Sequence, residues 1–333
     1  MFEAFLNKFL SLYVLLRHDN KVPKELKYFY RDTYHCKLRQ LRYIVKDYVS
    51  KKKYKTVSFH GEFAPELQFA LPFAYWHYKN GTLKKTQSSK YTKELYFFSD
   101  DHEEYFDTRS NEGNYSFEIP RILYSHDYDM SKWEPVPLKE KYSNDIYVYD
   151  KPILIIANRY NMEWDGPPIS YFSIPLLKFI IENLKDKYTI IYNRPRPQNI
   201  TMDNSDIYDM DEFEWLATEH PDILLMENLF KENKANVRNF NHLQLMVYAN
   251  ANNFLSIHGG TATLASYFGG TNIILSKRGP EHYFNCYQKL YPQFSGAKIL
   301  HAKTDEEVKD YVRKNFMADN NLQFNTVTAS NEY

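Results

Sequence analysis

Cysteine is nearly absent from this 333-residue chain, which carries only Cys36 and Cys286, one in each half. Two such distant thiols exclude a disulfide framework and a cysteine-based zinc site, and they fit a reducing, cytoplasmic setting. An excess of charge is missing too, with Lys plus Arg and Asp plus Glu at 42 each. The chain as a whole therefore projects no field that would gather nucleic acid or an anionic membrane, and any anion site has to be local. No hydrophobic run is long enough to span a bilayer. The N-terminal MFEAFLNKFLSLYVLLRH is interrupted by Glu3 and Lys8 and is followed by no small-residue cleavage site. Several signatures are also lacking: G-x-S-x-G, H-E-x-x-H, a Walker loop and G-x-G-x-x-G. Their absence weighs against triad hydrolases, zinc proteases and nicotinamide enzymes.

What the chain does have is aromatic weight, with 30 Tyr and 23 Phe. Codon bias in an AT-rich genome accounts for that excess. The functional alternative is stacking on sugars or bases, with Trp164, Tyr171 and Trp215 as the candidates. The length accommodates two α/β domains, placed at 1–145 and 146–333. Residues 1–56 read as a helical extension. In it Phe2, Phe5, Phe9, Leu12 and Leu16 share one helical face, predicted to pack on the body of the protein, with weak membrane-surface contact as the alternative. Residues 36–53 read as a basic amphipathic helix with Leu38, Leu41, Ile44, Val45 and Val49 turned inward.

Further along, 56–59 is predicted as a strand ending in His60-Gly61-Glu62, with a helix over 65–78. A second strand is expected over 94–99, followed by Asp100, Asp101 and His102. The Pro-containing stretch 105–144 reads as loop, with the domain boundary in or just after it. Beyond it strands and helices alternate. Strands are expected at 152–157, 188–192, 222–227, 254–257 and 271–276, and helices at 174–185, 241–250 and, capped by Thr304, 305–315. That alternation implies a parallel, doubly wound sheet.

The stretch around which the rest is organised is 253–282, NFLSIHGGTATLASYFGGTNIILSKRGPEH. A buried strand breaks at Gly259-Gly260, Thr261 is expected to cap a short helix containing Thr263, and the free N–H groups of its first turn would face a ligand above the sheet. That is how α/β proteins hold phosphate; an ordinary packing unit with glycine turns has the same pattern. The strand ends at Asn158, Arg194, Glu227, His258 and Arg278 should line the same edge. Arg194 offers a fork of donors to a diphosphate, or a surface ion pair. Glu227 and Glu281 could accept from ribose hydroxyls or a base, and His258 could donate to a phosphate or sugar. From the first half, Glu62 at a strand end is a candidate base, with His60, Asp100, Asp101 and His102 as rivals. The D-x-D pairs Asp127/Asp129 and Asp209/Asp211 fall in polar loops and read as chance.

Two stretches resemble known enzymes. Gly61-Glu62-Phe-Ala-Pro-Glu-Leu-Gln-Phe-Ala-Leu71-Pro72 is similar to the loop and helix of heptosyltransferase-type proteins, with Glu62 where they have a catalytic Asp. Asn193-Arg-Pro195, Asn241-His-Leu-Gln244 and SIHGGTATLASYFGGTNIIL with Glu281 resemble glycosyltransferases of bacterial surface-polysaccharide clusters and large algal viruses. The resemblance covers most of 56–316 and implies the GT-B architecture, two Rossmann-like doubly wound domains facing across a cleft. It further implies transfer of a sugar from a nucleotide-sugar donor, a UDP- or GDP-sugar, to a glycan or glycoconjugate acceptor. Transfer would invert the anomeric centre, with no obligatory metal and no cofactor. The donor would lie against Gly259, Gly260, Thr261 and Arg194, and Glu62 would deprotonate the acceptor. A sugar-nucleotide epimerase and a non-catalytic glycan- or nucleotide-binding protein on the same fold are the alternatives.

Overall fold

The computed structural model describes residues 2–18, 21–121, 126, 128–163, 166–196 and 207–318. Trp164, Asp127 and the Phe2 side chain lie outside what is described. The chain is α/β, with two sheets whose strands are all parallel.

Two antiparallel helices come first, α1 (Phe2–His18) and α2 (Lys27–Leu41), the latter followed by a wide π turn at Val45–Ser50. The pairing is polar as well as apolar: Glu3 bonds to Arg39, His35 lies near Asn7, and Leu10 and Val14 are buried. The expected orientation of the apolar faces is overturned here. Phe5, Phe9, Leu12 and Leu16 are exposed, and so are Leu38, Leu41, Ile44, Val45 and Val49. At 100° per residue, Leu10 and Val14 point roughly opposite to the Phe5–Phe9–Leu12–Leu16 stripe, so seating the first pair against the protein turns the stripe to solvent.

The first sheet has three strands in the order β1 (Lys55–Ser58), β2 (Leu83–Ser89), β3 (His102–Phe106), so it winds in one direction and is not doubly wound. Between β1 and β2 runs a helix, α3 (63–79), with a π turn at Glu66–Ala70. The strand expected at 94–99 is instead a 3-10 turn at Lys93–Tyr96. Glu94, Leu95 and Tyr96 are buried in succession, which an alternating strand with one solvated face cannot do. The true strand starts at His102, so Asp100 and Asp101 precede β3 and do not follow a strand.

The second sheet has the order β6-β5-β4-β7-β8-β9: β4 (Ile153–Ala157), β5 (Thr189–Asn193), β6 (Leu224–Leu225), β7 (Asn253–Ile257), β8 (Thr271–Leu275) and β9 (Lys298–Ala302). β4 is buried at all five positions because helices cover both faces. Successive residues serve different layers: Ile153, Ile155 and Ala157 join one apolar core and Leu154 and Ile156 another. The first of these cores also takes Val57, Phe59 and Phe69, so it runs without a break from one sheet to the other. The order reverses between β4 and β7, and the crevice above their carboxyl ends is where such sheets take ligands.

Candidate functional site

The first wall of the crevice is built at the carboxyl end of β1. Gly61 and Gly113 approach backbone to backbone: a Cβ on Gly113 would lie 2.5 Å from Gly61 N, and one on Gly61 would lie 2.4 Å from Asn114 Oδ1. This lets Asn114 grip Glu62 twice. Its Nδ2 donates to Glu62 Oε2 at 2.8 Å, and its Oδ1 accepts from the Glu62 N–H at 3.0 Å. Arg109 locks the same turn by donating to Gly61 O at 2.9 Å and to the buried carboxylate of Glu66 at 2.6 Å, and Glu66 accepts from Tyr96 as well. Glu62 itself stays partly exposed in front of α3. His60 packs its ring on Phe106.

The second wall is the switch point of the larger sheet. Gly259 has φ 81° and is the N-cap of a short helix, α4 (Gly260–Ser266). Thr261 therefore is not the cap; its hydroxyl bonds back to Ile257 O, inside the first turn. A Cβ on Gly259 would lie 3.1 Å from Arg159 Nη1, and one on Gly260 would lie 2.8 Å from Phe63 Cδ1. So the glycine turn touches Arg159 after β4 on one side and the start of α3 on the other. Thr263 faces the contact between the halves, accepting from Gln68 Nε2 at 3.2 Å.

Three carboxylates and one guanidinium share this crevice. Burial raises the pKa of Glu281; the negative charges of Glu62 and Glu163 push in the same direction, while Arg159 opposes them. Glu281 therefore keeps its proton to higher pH than an ordinary carboxyl. His258 is held neutral, its pKa lowered to about 3 by burial and by the charges of Arg159, His282 and His301. Its Nδ1 lies 3.2 Å from Ser276 Oγ and its Nε2 3.6 Å from Glu163 Oε2. Among the described residues no carboxylate pairs with the Arg159 guanidinium, which leaves its donors for a ligand.

Of the residues expected from the sequence, Glu62, His258, Gly259, Gly260 and Glu281 are brought together. Others serve elsewhere. Arg194 is buried and forked onto Glu212, with further bonds to Asp209 and Tyr208 O, so four of its five donors are committed and it holds the sheet edge. Glu227 follows a two-residue strand, stands in the first turn of a helix and is forked onto Arg196. Asn158 turns inward, donating to Phe172 O and Tyr192 Oη and accepting from Phe172 N. Arg278 is exposed on the loop after β8. Asp101 lies at the opposite, amino end of the first sheet, 3.9 Å from Lys85, and Asp100 pairs with Lys53. His102, within β3, is bonded to Thr86 and stacked on Tyr96. Arg159, Glu163, Asn114 and Arg109 were not expected. Arg159 follows Asn158 directly, and the two point in different directions beyond the strand.

Among the described residues no three His, Cys, Asp or Glu converge as metal ligands. Comparison of the chain with protein-family models, with curated proteins and with solved structures found no match.

Proposed function

We propose that the protein is a glycosyltransferase of the GT-B kind, transferring a sugar from a nucleotide-sugar donor to a hydroxyl of a glycan acceptor without an obligatory metal. The observation that carries this reading is the meeting of Glu62, from the carboxyl end of β1, with Arg159, Gly259 and Glu281 at the switch point of the other sheet. A carboxylate opposite a guanidinium that no described carboxylate pairs with, beside a glycine turn, is what sugar transfer from a diphosphate requires. In this mechanism the donor diphosphate lies along Gly259-Gly260 and is clamped by Arg159, which neutralises the leaving nucleotide as the glycosidic bond breaks. Glu62, oriented by Asn114, takes the proton of the acceptor hydroxyl as its oxygen attacks the anomeric carbon from the opposite face, which inverts the centre. Glu281, whose carboxyl holds its proton to higher pH than usual, lines the donor side of the crevice.

The test is a panel of UDP-, GDP-, CMP- and ADP-sugars, read by thermal shift and by nucleotide release with and without EDTA. Stabilisation by one nucleotide class, indifferent to EDTA, is expected. Glu62→Gln should keep that stabilisation and lose turnover by about 10²- to 10⁴-fold. Turnover that survives in Glu62→Gln would remove the assigned base, and conversion of the donor with no acceptor present would make the enzyme an epimerase. Failure of every nucleotide and nucleotide sugar to bind would end the reading.

A further inference from the structure

The N-terminal helical pair carries a surface that no other described residue covers. Ten large Leu, Ile, Val and Phe side chains are exposed between residues 5 and 49, whereas elsewhere among the described residues only Ile146, Val148 and Met317 are exposed aliphatic side chains of that size. A composition bias would scatter such residues; here they are gathered on α1, the last turn of α2 and the π turn that follows it. On α1 the stripe is regular, with Phe5 at 68 %, Phe9 at 55 %, Leu12 at 53 % and Leu16 at 74 % exposure, spaced at helical intervals opposite the buried Leu10 and Val14.

The charge around the stripe selects its partner. Residues 1–56 hold fourteen Lys and Arg against five Asp and Glu, so this segment is strongly positive and the remaining 277 residues are negative by the same amount. Three acids of the segment are paired, Asp32 with Arg121, Asp47 with Lys132 and Glu3 with Arg39, while Glu118 from outside it pairs with Arg39, Arg42 and Lys55. Lys8, Arg42, Lys46, Lys51 and Lys52 are exposed beside the apolar side chains. A second copy of the chain would bring two positive faces together and is disfavoured; an anionic surface is attracted. No described helix is long and apolar enough to cross a membrane, and α1 is fixed along its other side to α2, so the geometry is that of a helix lying flat in an interface.

We propose that the α1–α2 face docks on an anionic lipid bilayer, with Phe5, Phe9, Leu12 and Leu16 entering the acyl boundary and the surrounding lysines and arginines meeting the headgroups. A cavity of about 600 Å³ lies at the carboxyl end of α1, on its α2 side. It is lined by Arg17, His18, Lys21, Tyr30, Tyr34 and Tyr283, with no carboxylate among the described lining residues, and so offers a seat for an anionic headgroup. The docking itself does not depend on what chemistry the crevice performs.

Flotation of the full chain with vesicles is the test, using phosphatidylcholine alone and phosphatidylcholine with about a third phosphatidylglycerol. Binding to the anionic vesicles is expected, falling about tenfold between ~0.1 and ~0.5 M NaCl as the surface potential is screened. Phe5→Glu/Phe9→Glu/Leu16→Glu should bind at least about tenfold more weakly with an unchanged melting temperature, because none of the three is buried, while Tyr105→Glu on the first sheet should bind as the parent does. Absence of flotation with anionic vesicles would overturn the proposal. So would a light-scattering mass of twice the chain that reverts to one chain in the triple variant, which would show that a second copy covers the face.

Discussion

Two arginines at neighbouring strand ends have opposite fates, and that difference is measurable. Arg194 is buried against Glu212, so Arg194→Ala leaves an uncompensated carboxylate in the interior; a loss of about 3–5 kcal/mol of stability is expected in urea unfolding. Arg159 has no such partner among the described residues, so Arg159→Ala should change stability by less than about 0.5 kcal/mol. Nucleotide affinity should respond in the reverse sense. It should drop about 10- to 100-fold in Arg159→Ala when followed by calorimetry, as befits the loss of charge-assisted hydrogen bonds. Equal loss of affinity in a folded Arg194 variant would contradict this assignment. The sequence marked Arg194 for its strand-end position, but position gives no information about the partner. The acid that captures it, Glu212, lies 18 residues on and becomes a neighbour only through the fold.

At the scale of elements, the legible parts of the chain were those whose burial is uniform. β4, β7 and β8 are apolar runs covered on both faces, and their extents follow from composition alone. β2, with the sequence LKKTQSS, has no such run. Its inward side is closed by hydroxyls, Thr86 and Ser88 bonding the ring of His102, so its core is satisfied by hydrogen bonds and leaves no hydrophobic period to read. Missing β2 displaced the neighbouring strand and put Asp101 at the wrong end of it. The glycine turn after β7 and the Glu62 turn after β1 were legible because each follows a strand that was. The partner that fixes Glu62 was not, since Asn114 reaches it through the contact of Gly61 with Gly113. Gly113→Ala tests that contact. The added methyl meets backbone atoms at 2.5–2.8 Å that cannot step aside, so the loop bearing Asn114 has to move. Turnover should fall at least about tenfold with donor affinity nearly unchanged, as a kcat against KM measurement will show.

The whole molecule is fastened across its two sheets. The shared apolar core is supplemented by Tyr267 donating to Leu67 O at 2.7 Å and by Lys139 donating to Ala251 O and Phe268 O, so the halves should unfold together. Calorimetry is expected to give one transition; two separate ones would mean that the shared core is not the dominant contact. Acid should undo the fold through its histidines. Burial lowers the pKa of His77 to about 2 and of His258 to about 3, against 6.5 for a free imidazole. The folded form excludes a proton that the unfolded chain accepts, so stability is full above pH 6.5 and declines as the pH falls below it. Each of these two residues contributes about 1.4 kcal/mol of loss per pH unit, and His102 and His301, both lowered to about 4 by burial, add to the same trend. Melting temperatures from pH 7.5 to 4.5 will check the slope, and a flat profile would mean that these rings are protonated in the native state.

The division of charge along the chain also determines how the protein handles as a substance. With 42 charges of each sign it is neutral in sum, and its isoelectric point near 7.2 predicts weak retention on any ion exchanger at neutral pH. Yet the positive excess is confined to residues 1–56 and the matching negative excess to the remainder of the chain. Such a molecule is held by a sulfonate resin through its first segment and by a quaternary-amine resin through the remainder, more firmly than its net charge implies. Either hold is released by salt.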